Sequence, residues 1–202
     1  MPSPLPTSLL LSALTAAVLT GCAASARSAA PASPSASPSA AVCTGARYHF
    51  GRPATARTLL SVSSAHALAA GQPMTDDERR VRFVHATAVS TAGEADAATA
   101  YRAYAVRAAA AGTWLGGYNQ YLPVRPAGTM TPTVAGRYLL ASVASVDTVT
   151  FTRSCIHGSP ATGTVTAWHA DPDGNVLRCG YTHGLTPPLL EAEHLACGED
   201  DV

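Results

Sequence analysis

Residues 23–41 decide where folding can begin. They read AASARSAAPASPSASPSAA, with one charge and no aromatic side chain, so they cannot bury enough apolar surface to offset the entropy of ordering the chain. Such a run is a spacer. Its root-mean-square reach is roughly 25 Å as a flexible coil and about 60 Å as a polyproline helix. Everything able to form a core therefore lies from Cys43 onward, roughly 160 residues, which is the size of one domain.

Ahead of the spacer, residues 9–19 form an apolar core of about a dozen positions, too short for a bilayer-spanning helix and suited to a signal-peptide h-region. It closes in Leu19-Thr20-Gly21-Cys22. This resembles a bacterial lipobox, whose pattern is Leu, a small residue, Gly or Ala, then Cys. The resemblance implies cleavage before Cys22 by signal peptidase II and a diacylglycerol on the Cys22 thiol. Residues 1–21 would then be the signal peptide, 22–42 the tether and 43–202 a single domain, held to the extracytoplasmic face of the cell membrane. Residues 1–8 contain neither Lys nor Arg, and the alternative is free secretion after cleavage at Ala24-Ser25-Ala26.

The chain has five cysteines. With Cys22 given to lipid, or removed by the alternative cleavage, Cys43, Cys155, Cys179 and Cys197 remain. Outside the cytoplasm four cysteines imply two disulfides, with three possible connectivities. The expected pairs are Cys155 with Cys179, on apolar faces of neighbouring strands, and Cys43 with Cys197, clamping the two ends of the domain.

Every cation is Arg: the chain has no Lys. That excludes a P-loop, a Schiff base and a Ser-x-x-Lys acylation site. From Cys43 onward arginines and acids nearly balance, and the one basic cluster, Arg79, Arg80 and Arg82, follows Asp76, Asp77 and Glu78 as if neutralised by them. No basic stripe for nucleic acid is present.

The pattern predicts an α+β domain, mainly antiparallel sheet. Residues 46–50 and 58–68 read as strands. In residues 81–89, Val81, Phe83, His85, Thr87 and Val89 alternate with polar or small residues, which predicts a half-buried strand with His85 on its apolar face. An Ala-rich helix is predicted over about 92–111, with Thr91 and Glu94 as a capping box and Tyr101, Tyr104, Ala105 and Ala108 on one stripe. Val149, Phe151 and Cys155 mark the buried side of a strand over 146–155. Strands over 163–170 and 176–181 flank Asp171-Pro172-Asp173-Gly174-Asn175, which reads as a hairpin turn. A short C-terminal helix is predicted over about 187–197, with Thr186 as N-cap and Pro187 at its first position.

The lipobox, Gly163-Thr164-Val165-Thr166-Ala167-Trp168 and Leu177-Arg178-Cys179-Gly180 together make the chain similar to uncharacterised actinobacterial, streptomycete-type secreted lipoproteins. The resemblance implies location and disulfides. It implies no activity.

Candidate chemistry is sparse. Trp114, Tyr118 and Tyr121, with Asn119 and Gln120 between them, have the composition of an aromatic patch for an envelope glycan or a peptide. Cys155, His157, Cys179 and His183 have poor zinc spacing, and the calcium-like oxygens of Asp171, Asp173 and Asn175 lack the later bidentate Glu. No metal or other cofactor is expected. There is no Gly-x-Ser-x-Gly elbow and no His-Glu-x-x-His. The expectation is a non-catalytic binding or structural module, the alternative a cell-envelope hydrolase with a dispersed Ser, His and acid.

Overall fold

The computed structural model describes residues 42–75, 77–124 and 129–198, within the unit Ala40–Val202. The run 9–19, Cys22 and the spacer lie outside the described residues. In chain order the elements are β1 (Arg47–Phe50), β2 (Ala54–Val62), β3 (His66–Leu68), β4 (Arg79–Arg80), β5 (Thr87–Ser90), α1 (Glu94–Ala110), β6 (Gly136–Ser154), β7 (Ala161–Trp168), β8 (Asp173–Arg178) and α2 (Pro187–Cys197). This is a mostly antiparallel, curled sheet with two helices and two disulfides, the α+β class read from the sequence.

The spine is β6, 19 residues long. Along one edge β1, β2 and β3 follow one another, with Arg47 opposite Ser154, Ala54 opposite Thr148 and His66 opposite Tyr138. Along the other edge lie β7, with Ala161 opposite Arg153, and β8, with Arg178 opposite Tyr138. β4 extends the sheet beyond β2, and β5 extends it beyond β7.

The second half of β6 alternates as expected, with Val149 and Phe151 buried and Thr148, Thr150 and Thr152 exposed. Residues 139–144 are buried at every position. A strand covered on both faces has no polar side to alternate with. Leu139, Ala141 and Val143 pack with Leu59, Leu177 and Ala192 of α2, while Ala144 joins the cluster of α1.

β7 and β8 are not a hairpin. They run in succession along the same edge of β6, and residues 169–172 make the break between them, with Asp173, Gly174 and Asn175 already paired to β6 in β8. The hairpin expectation failed because the Asp-Pro-Asp-Gly-Asn signal marks an interruption without saying that the chain reverses.

The helix α1 presents Ala97, Ala100, Tyr101, Tyr104 and Ala108 to the sheet, close to the predicted stripe. Its cap differs from expectation. Gly93 is the N-cap, and the Thr91 hydroxyl instead accepts from the Thr162 N–H at 3.1 Å. At α2, Thr186 holds the N-cap position and Pro187 starts the helix, yet the Thr186 hydroxyl makes no capping bond.

The face of residues 81–89 is the reverse of the predicted one. Ala86 and Ala88 are buried, while Phe83 and Val89 point outward and His85 is half-buried. The cause is α1. Its alanine-lined face comes so near the sheet that only small side chains fit beneath it, and Phe83 or Val89 on that side would overfill the core.

The disulfides use the third connectivity. Cys43 pairs with Cys155, and Cys179 with Cys197. The expected Cys155–Cys179 bridge cannot form, because Cys155 follows the end of β6 while the Cys179 N–H bonds the Arg137 carbonyl at its start. At about 3.3 Å per residue, those ends are separated by roughly 60 Å of strand. Pairing of β1 with the end of β6 brings Cys43 beside Cys155 instead, and α2 folds its last residue onto the end of β8.

Candidate functional site

Asp147 lies on the buried side of β6, two residues before Val149. It accepts from the Thr55 hydroxyl at 2.6 Å and the Tyr104 hydroxyl at 2.8 Å. His169, one residue past β7, brings its Nε2 to 3.2 Å from Asp147 Oδ1. That is ion-pair distance, off the line of a good hydrogen bond, and this nitrogen is shielded from solvent. Burial alone would push the Asp147 carboxyl up, but the bonds from Thr55 and Tyr104, with the His169 imidazole close by, hold it below the usual carboxylate range. The same pairing, after burial, pushes the Tyr104 phenol far above its ordinary value.

The outer side of His169 faces a recess of about 170 Å³ lined by Gly112, Thr113, Trp114, His169, Ala170 and Asp171. Two interruptions build it. α1 stops at the left-handed Gly112, and the sheet edge breaks between β7 and β8. Leu115 pairs with His169, and the Ala170 N–H donates to the Trp114 carbonyl at 2.8 Å, so the two turns are stitched side by side. The Trp114 ring is 69% exposed at the rim. With Nε2 turned to Asp147, Nδ1 is the ring nitrogen left to accept or donate elsewhere. The recess thus joins an aromatic face to an oriented imidazole, a hydroxyl and a carboxylate. Its volume is below that of a typical drug-sized pocket and suits one sugar ring or one side chain.

The three aromatic residues singled out in the sequence do not form one patch. Trp114 stands at this recess. Tyr118 turns inward onto Tyr101, with ring centroids 5.4 Å apart. Tyr121 lies in a second cluster, stacked on His85 at 4.6 Å and edge-on to Phe83 at 6.2 Å. Residues 114–122 run between the end of β7 and residues 84–86, with Gly116 N–H bonded to Trp168 O and Leu122 N–H to Val84 O. This geometry scatters the rings.

Gly116 is required there. A Cβ would lie 2.1 Å from the Trp168 ring, which is locked by its own Nε1–H to the Gln120 carbonyl at 3.2 Å. Gly116→Ala is expected to cost about 1–3 kcal/mol through overpacking, read as a lowered melting temperature.

A second buried carboxylate, Asp96 of α1, accepts from Tyr48 at 2.6 Å, Ser90 at 2.5 Å and Arg153 Nη1 at 2.6 Å. Desolvation opposes its ionisation, and these three donors with the Arg153 charge overcome it, so its pKa is lowered. Burial and the bond to Asp96 push the Tyr48 phenol up to about 12. Arg153 also donates to the Ser159 carbonyl at 2.9 Å and lines a cavity of about 310 Å³ beside the Cys43–Cys155 bridge. Because both outer nitrogens are engaged, this group is a clamp between α1 and β6 rather than an open recognition site.

Around the arginine cluster the described acids find other partners, while Asp76 lies outside the described residues. Glu78 turns to the Ser61 and Ser142 hydroxyls, Asp77 pairs with His66 at 3.1 Å and Arg82 binds Glu191 bidentately at 2.7 and 2.8 Å. Among the described residues no histidine is hydrogen-bonded to a serine hydroxyl. The four domain cysteines are all in disulfides, leaving no thiolate for a metal, and no group of three or more metal-ligating side chains occurs among the described residues.

The fold and site define a class: a disulfide-pinned, extracytoplasmic sheet domain with a small polar-aromatic recess. The compartment follows from two disulfides, which persist only where thiols are not kept reduced. No helix among the described residues is long and apolar enough to cross a membrane. No protein-family model, curated protein or solved structure matches the chain.

Proposed function

We propose that this chain is a lipid-anchored surface protein of the actinobacterial envelope. Its domain works as a non-catalytic binding module, taking a glycan unit at the Trp114–His169 recess. One observation carries the reading. An exposed tryptophan stands beside an imidazole that lies 3.2 Å from a buried carboxylate, the pairing of stacking surface and polar group that saccharide recognition uses. Trp114→Ala and His169→Ala are each expected to weaken binding of peptidoglycan fragments about tenfold, a loss of about 1.4 kcal/mol, in calorimetric titration. Melting temperature should be unchanged for Trp114→Ala, whose ring lies outside the core.

The anchor is Cys22. In an actinobacterial host the full chain is expected to incorporate labelled palmitate and to fractionate with membranes, and Cys22→Ala to lose both and appear in the medium. Two acyl chains on one cysteine suffice for stable attachment, because each buried methylene contributes about 0.8 kcal/mol. Release of the unaltered chain without label would favour ordinary secretion.

The Asp147–His169 pair favours one second reading, a hydrolase in which His169 acts as base on a water without a serine. Glycan turnover, abolished by His169→Ala, would support it.

A further inference from the structure

We infer that the outward cluster of Phe83, Tyr121 and Arg80 is a docking surface for the anionic phospholipid bilayer to which the chain is tethered. The inference rests on the anchor reading above. It starts from the reversal of residues 81–89, which leaves Phe83 72% exposed and Tyr121 59% exposed at adjoining positions. Arg80 Cζ sits 4.7 Å from the Phe83 centroid, and among the described residues no carboxylate pairs with Arg80; Asp77 bonds His66, and Glu78 bonds Ser61 and Ser142.

Two facts choose the occupant. Charge is the first: a guanidinium with no carboxylate partner among the described residues, beside two aromatic rings, matches a layer of lipid phosphates, which Arg binds bidentately while aromatic rings settle at headgroup depth. Reach is the second. Nineteen residues lie between Cys22 and Val42, and a chain of that length has a root-mean-square coil reach of roughly 25 Å. The local lipid concentration is then high enough for a contact of only two rings and one charge to be occupied. A glycan fits this cluster less well. The rings are perpendicular, and one face of each is already covered, by His85 on Tyr121 and by Arg80 on Phe83, so no flat stacking platform is left.

The test uses the full chain carrying Cys22→Ser, so that no acyl group contributes, in sedimentation with vesicles of phosphatidylcholine alone or mixed with phosphatidylglycerol. Binding to the mixed vesicles is expected, falling about tenfold when Phe83→Ser and Tyr121→Ser are combined. Arg80→Gln is expected to erase the preference for phosphatidylglycerol. Phe83 and Tyr121 are exposed and Arg80 is half-buried, and an unchanged melting temperature verifies the fold. Absence of binding by the parent chain, or equal binding by the double variant, overturns the inference. So does loss of peptidoglycan binding, rather than vesicle binding, in the double variant. The acylation assay is independent of these results, so failure of the anchor and failure of the surface are told apart.

Discussion

Asp96→Ala is expected to cost about 3–5 kcal/mol, because it leaves the Arg153 guanidinium buried without its counter-charge. The Arg153 side chain is only 11% exposed, with its Nη1 on Asp96 and its Nε shielded and unpartnered. The same substitution strips the Tyr48 and Ser90 hydroxyls of their acceptor. Asp96→Asn keeps the shape and part of the hydrogen bonding, so its loss should be smaller. Urea unfolding at neutral pH reads both. The pH dependence follows from the sign of the shift. The Asp96 and Asp147 carboxyls are both held below their ordinary value of 3.8. Their ionised forms therefore contribute stability that is complete above that value and is lost as pH falls through the depressed one. The parent should lose stability steeply below about pH 4, and Asp96→Ala, lacking one of the two groups, less steeply.

Replacing Cys43 and Cys155 together by serine is expected to cost about 5 kcal/mol, against about 3 kcal/mol for Cys179 and Cys197. The chain-entropy argument scales with the loop closed, and the sequence separations are 112 and 18 residues. The first loss is a large part of the net stability of an ordinary domain. The larger bridge also fastens the end nearest the spacer, where β1 is only four residues long and gains little from pairing alone. Peptide mapping without reduction should recover the Cys43–Cys155 and Cys179–Cys197 pairs. A Cys155–Cys179 peptide would contradict the strand order around β6.

Physical chemistry explains which features could be read before the structure. The α1 stripe was legible because Tyr101, Tyr104 and Ala108 repeat at helical spacing on an otherwise polar or small background. The outer half of β6 was legible because threonines alternate with Val149 and Phe151. Its inner half was not, since Leu139 to Ala144 are covered on both faces and an Ala- and Ser-containing apolar run has no period of its own. The reversed face of residues 81–89 depended on how closely α1 approaches, which no local pattern records. Disulfide pairing likewise depended on which strand lies beside which end of β6, and side-chain alternation gives only the face.

The recess was half visible. Trp114 stood out by type, but Asp147 and His169 are 22 positions apart with no motif between them. One signal was present. Asp147 shares the side of Val149 and Phe151, and an acid on an apolar strand face must find partners. Asp96 carried the same signal, four residues before the buried Ala100. Neither acid stands out by motif, but their position on buried faces points to the two polar clusters of the fold.

The recess at the break between β7 and β8 is tested most directly by calorimetric titration of peptidoglycan fragments into the full chain carrying Cys22→Ser. The expected result is saturable binding, weakened about tenfold by Trp114→Ala and unchanged by Phe83→Ser. No heat of binding from the parent chain, or equal affinity in the Trp114→Ala variant, would contradict it.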